Sequence, residues 1–127
     1  AATRTTPAWA VQPEDDPFYQ RLLKEHHCEP AKEAHDGRWK AQMSCPWESE
    51  HGERPDTGTV YFVGGGFVCS HNACALRKWP ELQQHLHDEL GWPVERMLTA
   101  LWNARQRSVQ QHGDDTLRRL AAARRSA

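Results

Sequence analysis

Thirty residues from Cys45 to Cys74, CPWESEHGERPDTGTVYFVGGGFVCSHNAC, constrain this chain more than any other stretch. Cys45 and His51 form a C-x5-H pair, and Cys69 and Cys74 form a C-x4-C pair with His71 inside it. Between the pairs lie an extended segment, the Gly64-Gly65-Gly66 run and a second extended segment. Two short thiolate and imidazole pairs joined by a hairpin are what a four-coordinate structural zinc requires. The expected Zn2+ ligands are Cys45, His51, Cys69 and Cys74. His71 is the alternative to Cys74, because a C-x-H pair is also sterically feasible. Cys74 is favoured since thiolate binds zinc strongly and an unused cysteine beside the ion would be a liability.

A metal staple matters here because the core must be modest. The chain has 127 residues, of which 38% are hydrophobic and 26% charged, with a mean hydropathy of -0.87. Small chains bury proportionally less surface. No apolar run approaches membrane-spanning length and no signal-peptide pattern is present, so four cysteines point to metal rather than disulfides and to a cytoplasmic setting. The start without methionine suggests either a processed start or an excised piece of a longer polypeptide, with the excised piece favoured.

The rest of the chain is organised around this hairpin. Residues 1–15 lack periodicity and read as a linker or disordered arm. Asp16-Pro17 marks a helix start, Asp as N-cap and Pro at the first position, with Phe18, Leu22 and Leu23 as its apolar stripe and an end near His27 or Cys28. Cys28 with His26 and His27 lacks paired ligand spacing, and a helix-end cysteine packed inward is the plainer reading. From Arg38 to Ser44 the alternation of Trp39, Ala41 and Met43 with polar residues predicts a half-buried strand leading into Cys45. Thr59–Val63 is strand by β-branched and aromatic content.

After Cys74 the pattern turns helical. Leu82, Leu86 and Leu90 define one helix closed by Gly91. Val94, Met97, Leu98, Leu101 and Trp102 define the face of another, expected to reach Gln111 before Gly113 breaks it. Asp114 and Asp115 suit the start of a last short helix carrying Leu117 and Leu120. The predicted architecture is α+β: a small zinc-ribbon-like antiparallel hairpin or sheet, one preceding helix and two to three C-terminal helices. The zinc-binding domain spans 16–112, with the zinc hairpin at 45–74 and helices at 80–111, and 113–127 is a short helix or frayed tail.

Catalytic signatures are missing from the sequence. H-E-x-x-H, the H-x-E and P-C-x-x-C deaminase pair, G-x-S-x-G and the Walker A loop do not occur. The triple glycine lies between strands, not before a helix, and is a turn rather than a phosphate loop. The formal net charge is -1. From Trp92 onward, however, Arg96, Arg105, Arg107, Arg118, Arg119, Arg124 and Arg125 outnumber Glu95, Asp114 and Asp115. Such a bias fits a basic surface, although arginine is also simply a good helix former.

The stretch CPWESEHGERPDTGTVYFVGGGFVCSHNAC resembles the zinc-binding domain of phage and plasmid (mobile-element) DNA primases and primase–helicases. A CPW-x-x-x-H element, a TG-x-x-YF strand, a glycine-rich turn and a C-x-H-x-x-C element recur there in this order. It is more distantly similar to the CHC2 zinc finger of DnaG-type primases, from which C-x5-H and C-x4-C depart in spacing; that departure leaves the choice between His71 and Cys74 open. The resemblance implies a non-catalytic DNA-binding domain of a replication primase that contacts single-stranded template for primer initiation. It would work beside a primase-polymerase or helicase domain, in cis or in trans, and not at a membrane. Aromatics that stack on bases and cations that meet phosphate would carry that contact. The expected residues are Arg38, Lys40, Trp47, Arg54, Tyr61, Phe67, Arg77 and Lys78; Phe62 is the alternative to Tyr61, since alternation lets only one of them face outward. An interaction module, in which zinc only holds the fold and the helices from Pro80 to Gln111 dock a polymerase or helicase, is the other reading.

Overall fold

A computed structural model describes residues 11–35, 37–51, 58–70 and 74–126. The fold is α+β, a four-stranded antiparallel sheet with one helix before it and two after. The calls on residues 1–10, on Asp36, on Arg54 and the 52–57 loop, and on 71–73 lie outside the described residues.

Helix α1 (Pro17–Lys24) begins as the sequence predicts. The Asp16 carboxylate accepts from the Phe18 and Tyr19 amides at 2.8 and 3.1 Å, satisfying two of the amides a helix start leaves unpaired. Phe18, Tyr19 and Leu22 are buried. The helix stops earlier than its expected end near His27 or Cys28. His26 takes φ 62°, the His26 amide donates to Leu23 O, and the His27 amide donates to Leu22 O. This pair of bonds is a Schellman closure, built on a histidine where glycine is usual.

The chain then enters the sheet, ordered β1-β2-β3-β4. Strand β1 (Lys32–Glu33), too short to leave a periodic signal, pairs with β2 (Trp39–Gln42). The predicted alternation is present: Ala41 and Met43 are buried while Lys40, Gln42 and Ser44 are exposed. Strand β3 (Thr59–Phe62) sets Tyr61 beside Ala41 on one flank and beside Phe67 of β4 (Phe67–Cys69) on the other. Because side chains alternate between faces, Thr59, Tyr61, Phe67 and Cys69 all point into the core, where all are buried.

Helix α2 (Trp79–Asp88) presents Leu82 and Leu86 to that core, fully buried. Burial of such side chains contributes about 1.5–3 kcal/mol each. Trp79 packs edge-on against Phe18 at 4.9 Å between ring centroids and lies 5.7 Å from Tyr61, tying α2 to α1 and β3. Leu90, expected on the same stripe, falls past the helix end and is 39% exposed. Gly91 turns the chain at φ 66°, and Trp92 is buried with the Arg21 guanidinium 4.7 Å above its ring.

Helix α3 (Val94–Ser126) differs most from expectation. Val94, Met97, Leu101 and Ala104 form its buried stripe, whereas Trp102 stands 58% exposed. The helix also runs unbroken through Gly113, so residues 113–127 do not start a separate element at Asp114. Gly113 is exposed and nothing lies within 4 Å of where its Cβ would be. A single interior glycine costs a helix about 1 kcal/mol relative to alanine, which the surrounding run of Arg, Gln, Leu and Ala offsets. At the other end, Pro13–Asp15 form a 3-10 turn ahead of α1. Val11 is buried, and its side chain approaches the Cβ direction of Gly64 to 3.7 Å.

Candidate metal centre

Cys45, Cys69 and Cys74 come together although 29 residues separate the first from the last. Strand β2 delivers Cys45 to the edge of the core, where the Ser44 amide is held by His27 O at 2.9 Å. Cys69 is the last residue of β4. Cys74 opens the turn into α2, its carbonyl accepting from the Arg77 amide at 2.9 Å. The three sulfurs lie within 4.8 Å of one another and all three residues are buried.

The donor set and its spacing fit a metal ion. Cys45 Sγ and Cys74 Sγ are 3.7 Å apart. A tetrahedral ion with metal–sulfur bonds of about 2.3 Å places neighbouring sulfurs about 3.8 Å apart. All four cysteines are free thiols. Burial pushes the Cys45 thiol up to about 12 and raises Cys74 as well. The Cys45 and Cys74 thiols therefore stay protonated unless a cation displaces their protons. Cys28 stands apart from the cluster: half-buried on the core, bridged to Met43 and pushed up to about 11 by burial.

Groups around the sulfurs hold them in place. Thr59 Oγ1 donates to Cys69 Sγ at 3.3 Å. Arg77 Nη1 reaches Cys74 Sγ at 3.9 Å, while the same guanidinium pairs with Glu50 at 2.7 and 3.0 Å. It also sits 4.7 Å over the Trp47 ring, which in turn contacts Phe67 and His85. Glu50 belongs to a single 3-10 turn, Glu48–His51, so Arg77 ties that turn to Cys74. His51 closes the turn; its side chain, like the whole of His71, lies outside the described residues.

The expected nucleic-acid contacts divide by face. Tyr61 and Phe67 are 0% and 3% exposed, a correction to their expected role as stacking platforms. Their burial follows from strand parity: Phe67 is two residues before the inward Cys69, and Tyr61 is its cross-strand partner. Phe62 takes the outward place instead, half-buried, opposite Lys40 in the register and with the Arg38 guanidinium 5.0 Å over its ring. Arg38, Lys40 and Lys78 are exposed. Trp47 is half-buried in the packing around Arg77, and Arg77 is engaged by Glu50 and Cys74. Sequence reading missed the part played by Arg105. Its Nε donates to Gly64 O at 3.1 Å, a pairing across 41 residues that no local pattern announces.

Comparison of the chain with family profiles, characterised proteins and solved structures gives no match. Among the described residues, no helix is long and apolar enough to cross a membrane.

Proposed function

We propose that the chain is a zinc-stabilised, non-catalytic module that recognises single-stranded DNA, of the kind found in replication primases. The observation that carries this reading is the buried Cys45, Cys69 and Cys74 cluster, set in a sequence stretch that resembles primase zinc domains. Zinc is the ion of choice for a buried thiolate set of this spacing, and the C-x5-H spacing names His51 as the fourth ligand. Zinc here fixes the hairpin and supplies no reaction.

The outer face of the sheet is the contact surface. Phe62 offers a ring for stacking, and Lys40 beside it and Arg38 above it offer phosphate partners. A salt series with a fluorescent single strand tests this. Each phosphate contact contributes roughly 0.7 to the salt slope, so Arg38 and Lys40 together predict a slope of about -1.4. The absence of any binding at low salt would overturn it.

A second reading is favoured by one observation. Past Ala104, helix α3 carries Val109, Leu117 and Leu120 at 47%, 66% and 55% exposure. In that reading the helix docks a polymerase or helicase partner and the chain makes no DNA contact. A strand-binding failure combined with co-purification of a replication partner through α3 would select it.

A further inference from the structure

Beside the triple-glycine turn, a cavity of about 420 Å³ opens between the sheet and α3. That volume lies within the range of small-molecule sites. Its walls carry two indoles, Trp39 and Trp102, two guanidiniums, Arg38 and Arg105, and the Gly64-Gly65 backbone. Among the described residues no aspartate or glutamate lines it. We propose that this cavity is a nucleotide subsite, taking one base with its phosphate from a single strand. The proposal rests on the strand-binding reading above and names where one nucleotide of that strand is held.

Three features favour a nucleotide over an apolar ligand or a simple anion. Arg105, paired with a neutral carbonyl, brings a positive charge to the wall that selects a negative group, and guanidiniums suit phosphate geometry. Two indoles supply flat faces on which any base can stack. The third feature is construction. Arg105 is fixed by the Gly64 carbonyl, a neutral partner that orients the guanidinium without cancelling its charge. Gly64 is itself held from the other side, its amide donating to the buried Asp16 carboxylate at 2.7 Å. A side chain at Gly65 would meet Arg105 Nη2 at 3.1 Å and Trp79 Nε1 at 3.3 Å, so the glycines keep this wall thin and close to the arginine. Arg38 belongs both to the cavity and to the outer sheet face beneath which Phe62 lies.

The test uses the zinc-loaded 127-residue chain and two variants at exposed positions, Trp102→Ala and Arg38→Gln. Folding of both is checked by circular dichroism and metal content. Two probes are titrated: a short fluorescent oligothymidylate, followed by anisotropy, and free thymidine monophosphate, followed by tryptophan fluorescence. The subsite predicts that W102A weakens oligothymidylate binding about tenfold or more. R38Q should lower the salt slope by roughly 0.7. Strand binding that is unchanged in W102A overturns the subsite, and a salt slope that R38Q still lowers leaves the strand-binding reading intact. Thymidine monophosphate binding that W102A abolishes, without any strand binding, supports the subsite for a free nucleotide and overturns that reading. Binding of neither probe overturns both.

Discussion

The Tyr61 hydroxyl donates a 2.6 Å hydrogen bond to Asp16 Oδ2, joining the centre of the sheet to the N-cap of α1 across 45 residues. The same carboxylate oxygen accepts from the Gly64 amide, and the other oxygen from Phe18 and Tyr19. One buried side chain therefore holds the first helix, the middle strand and the glycine turn together. Tyr61→Phe should destabilise the fold by about 1–3 kcal/mol, the cost of removing a buried hydrogen bond to a charged group. Asp16→Asn should cost more, because its amide nitrogen faces donors wherever it points. Denaturant midpoints with unchanged slopes would establish both.

Asp16 also gives the fold a pH dependence of definite sign. Burial raises its pKa above the ordinary 3.8, against the pull of the Tyr61, Gly64, Tyr19 and Phe18 hydrogen bonds. A carboxyl raised on folding favours the native state while protonated. Its contribution is complete below the unfolded value and is lost as pH climbs through the folded one. The stability of the wild type relative to D16N is therefore expected to shrink as pH rises from below 3.8 toward neutrality. Denaturation of both proteins across that range measures it, and a widening difference would be the opposite result.

Two glycines make opposite predictions. Gly65 has φ 105° and close neighbours in Arg105, Leu101 and Trp79. Gly65→Ala should destabilise by about 1–3 kcal/mol through backbone strain. Gly113 lies in an exposed helical stretch with open space around it. Gly113→Ala should stabilise that part of α3 by about 1 kcal/mol, read as increased helical circular dichroism and slower amide exchange beyond Ala104.

Arg77 is expected to matter more to the metal than to the fold. Its pair with Glu50 is partly exposed, at 25% and 48%, and such pairs contribute under about 1 kcal/mol. Its contacts to Cys74 Sγ and to the turn holding His51 are of the kind whose loss lowers metal affinity about 10- to 100-fold. Arg77→Gln should therefore leave the zinc-loaded fold intact by circular dichroism while metal passes readily to a chromophoric chelator. Equal loss of both would assign Arg77 to packing.

What the sequence made legible was local. Alternation from Trp39 to Met43 placed β2 and its inward face, the Asp16-Pro17 pair located the start of α1, and cysteine spacing picked three sulfurs that do meet. What escaped it was long-range or decided by a single residue. His26 ends α1 by adopting a left-handed conformation that a histidine does not advertise. Gly113 signals a break, yet an exposed glycine costs too little to stop a helix of otherwise good formers. Tyr61 and Phe67 carry the aromatic character of stacking residues, and only their pairing with each other and with the inward Cys69 face decides that they are core. The clamp on Gly64 joins Asp16 and Arg105 from opposite ends of the chain, so no window of sequence contains it.

The central claim is that a metal held by Cys45, Cys69 and Cys74 is part of the folding energy. The direct measurement is thermal unfolding of the zinc-loaded chain before and after a strong chelator, beside Cys69→Ser, with bound metal quantified in each. Structural zinc contributes roughly 10–16 kcal/mol, more than a small domain's whole stability of about 5–15 kcal/mol. One equivalent of zinc is expected, with loss of the cooperative transition on chelation and recovery when zinc is returned, and with C69S resembling the chelated protein. A purified chain without metal, or one whose unfolding transition is the same with and without chelator, would contradict it.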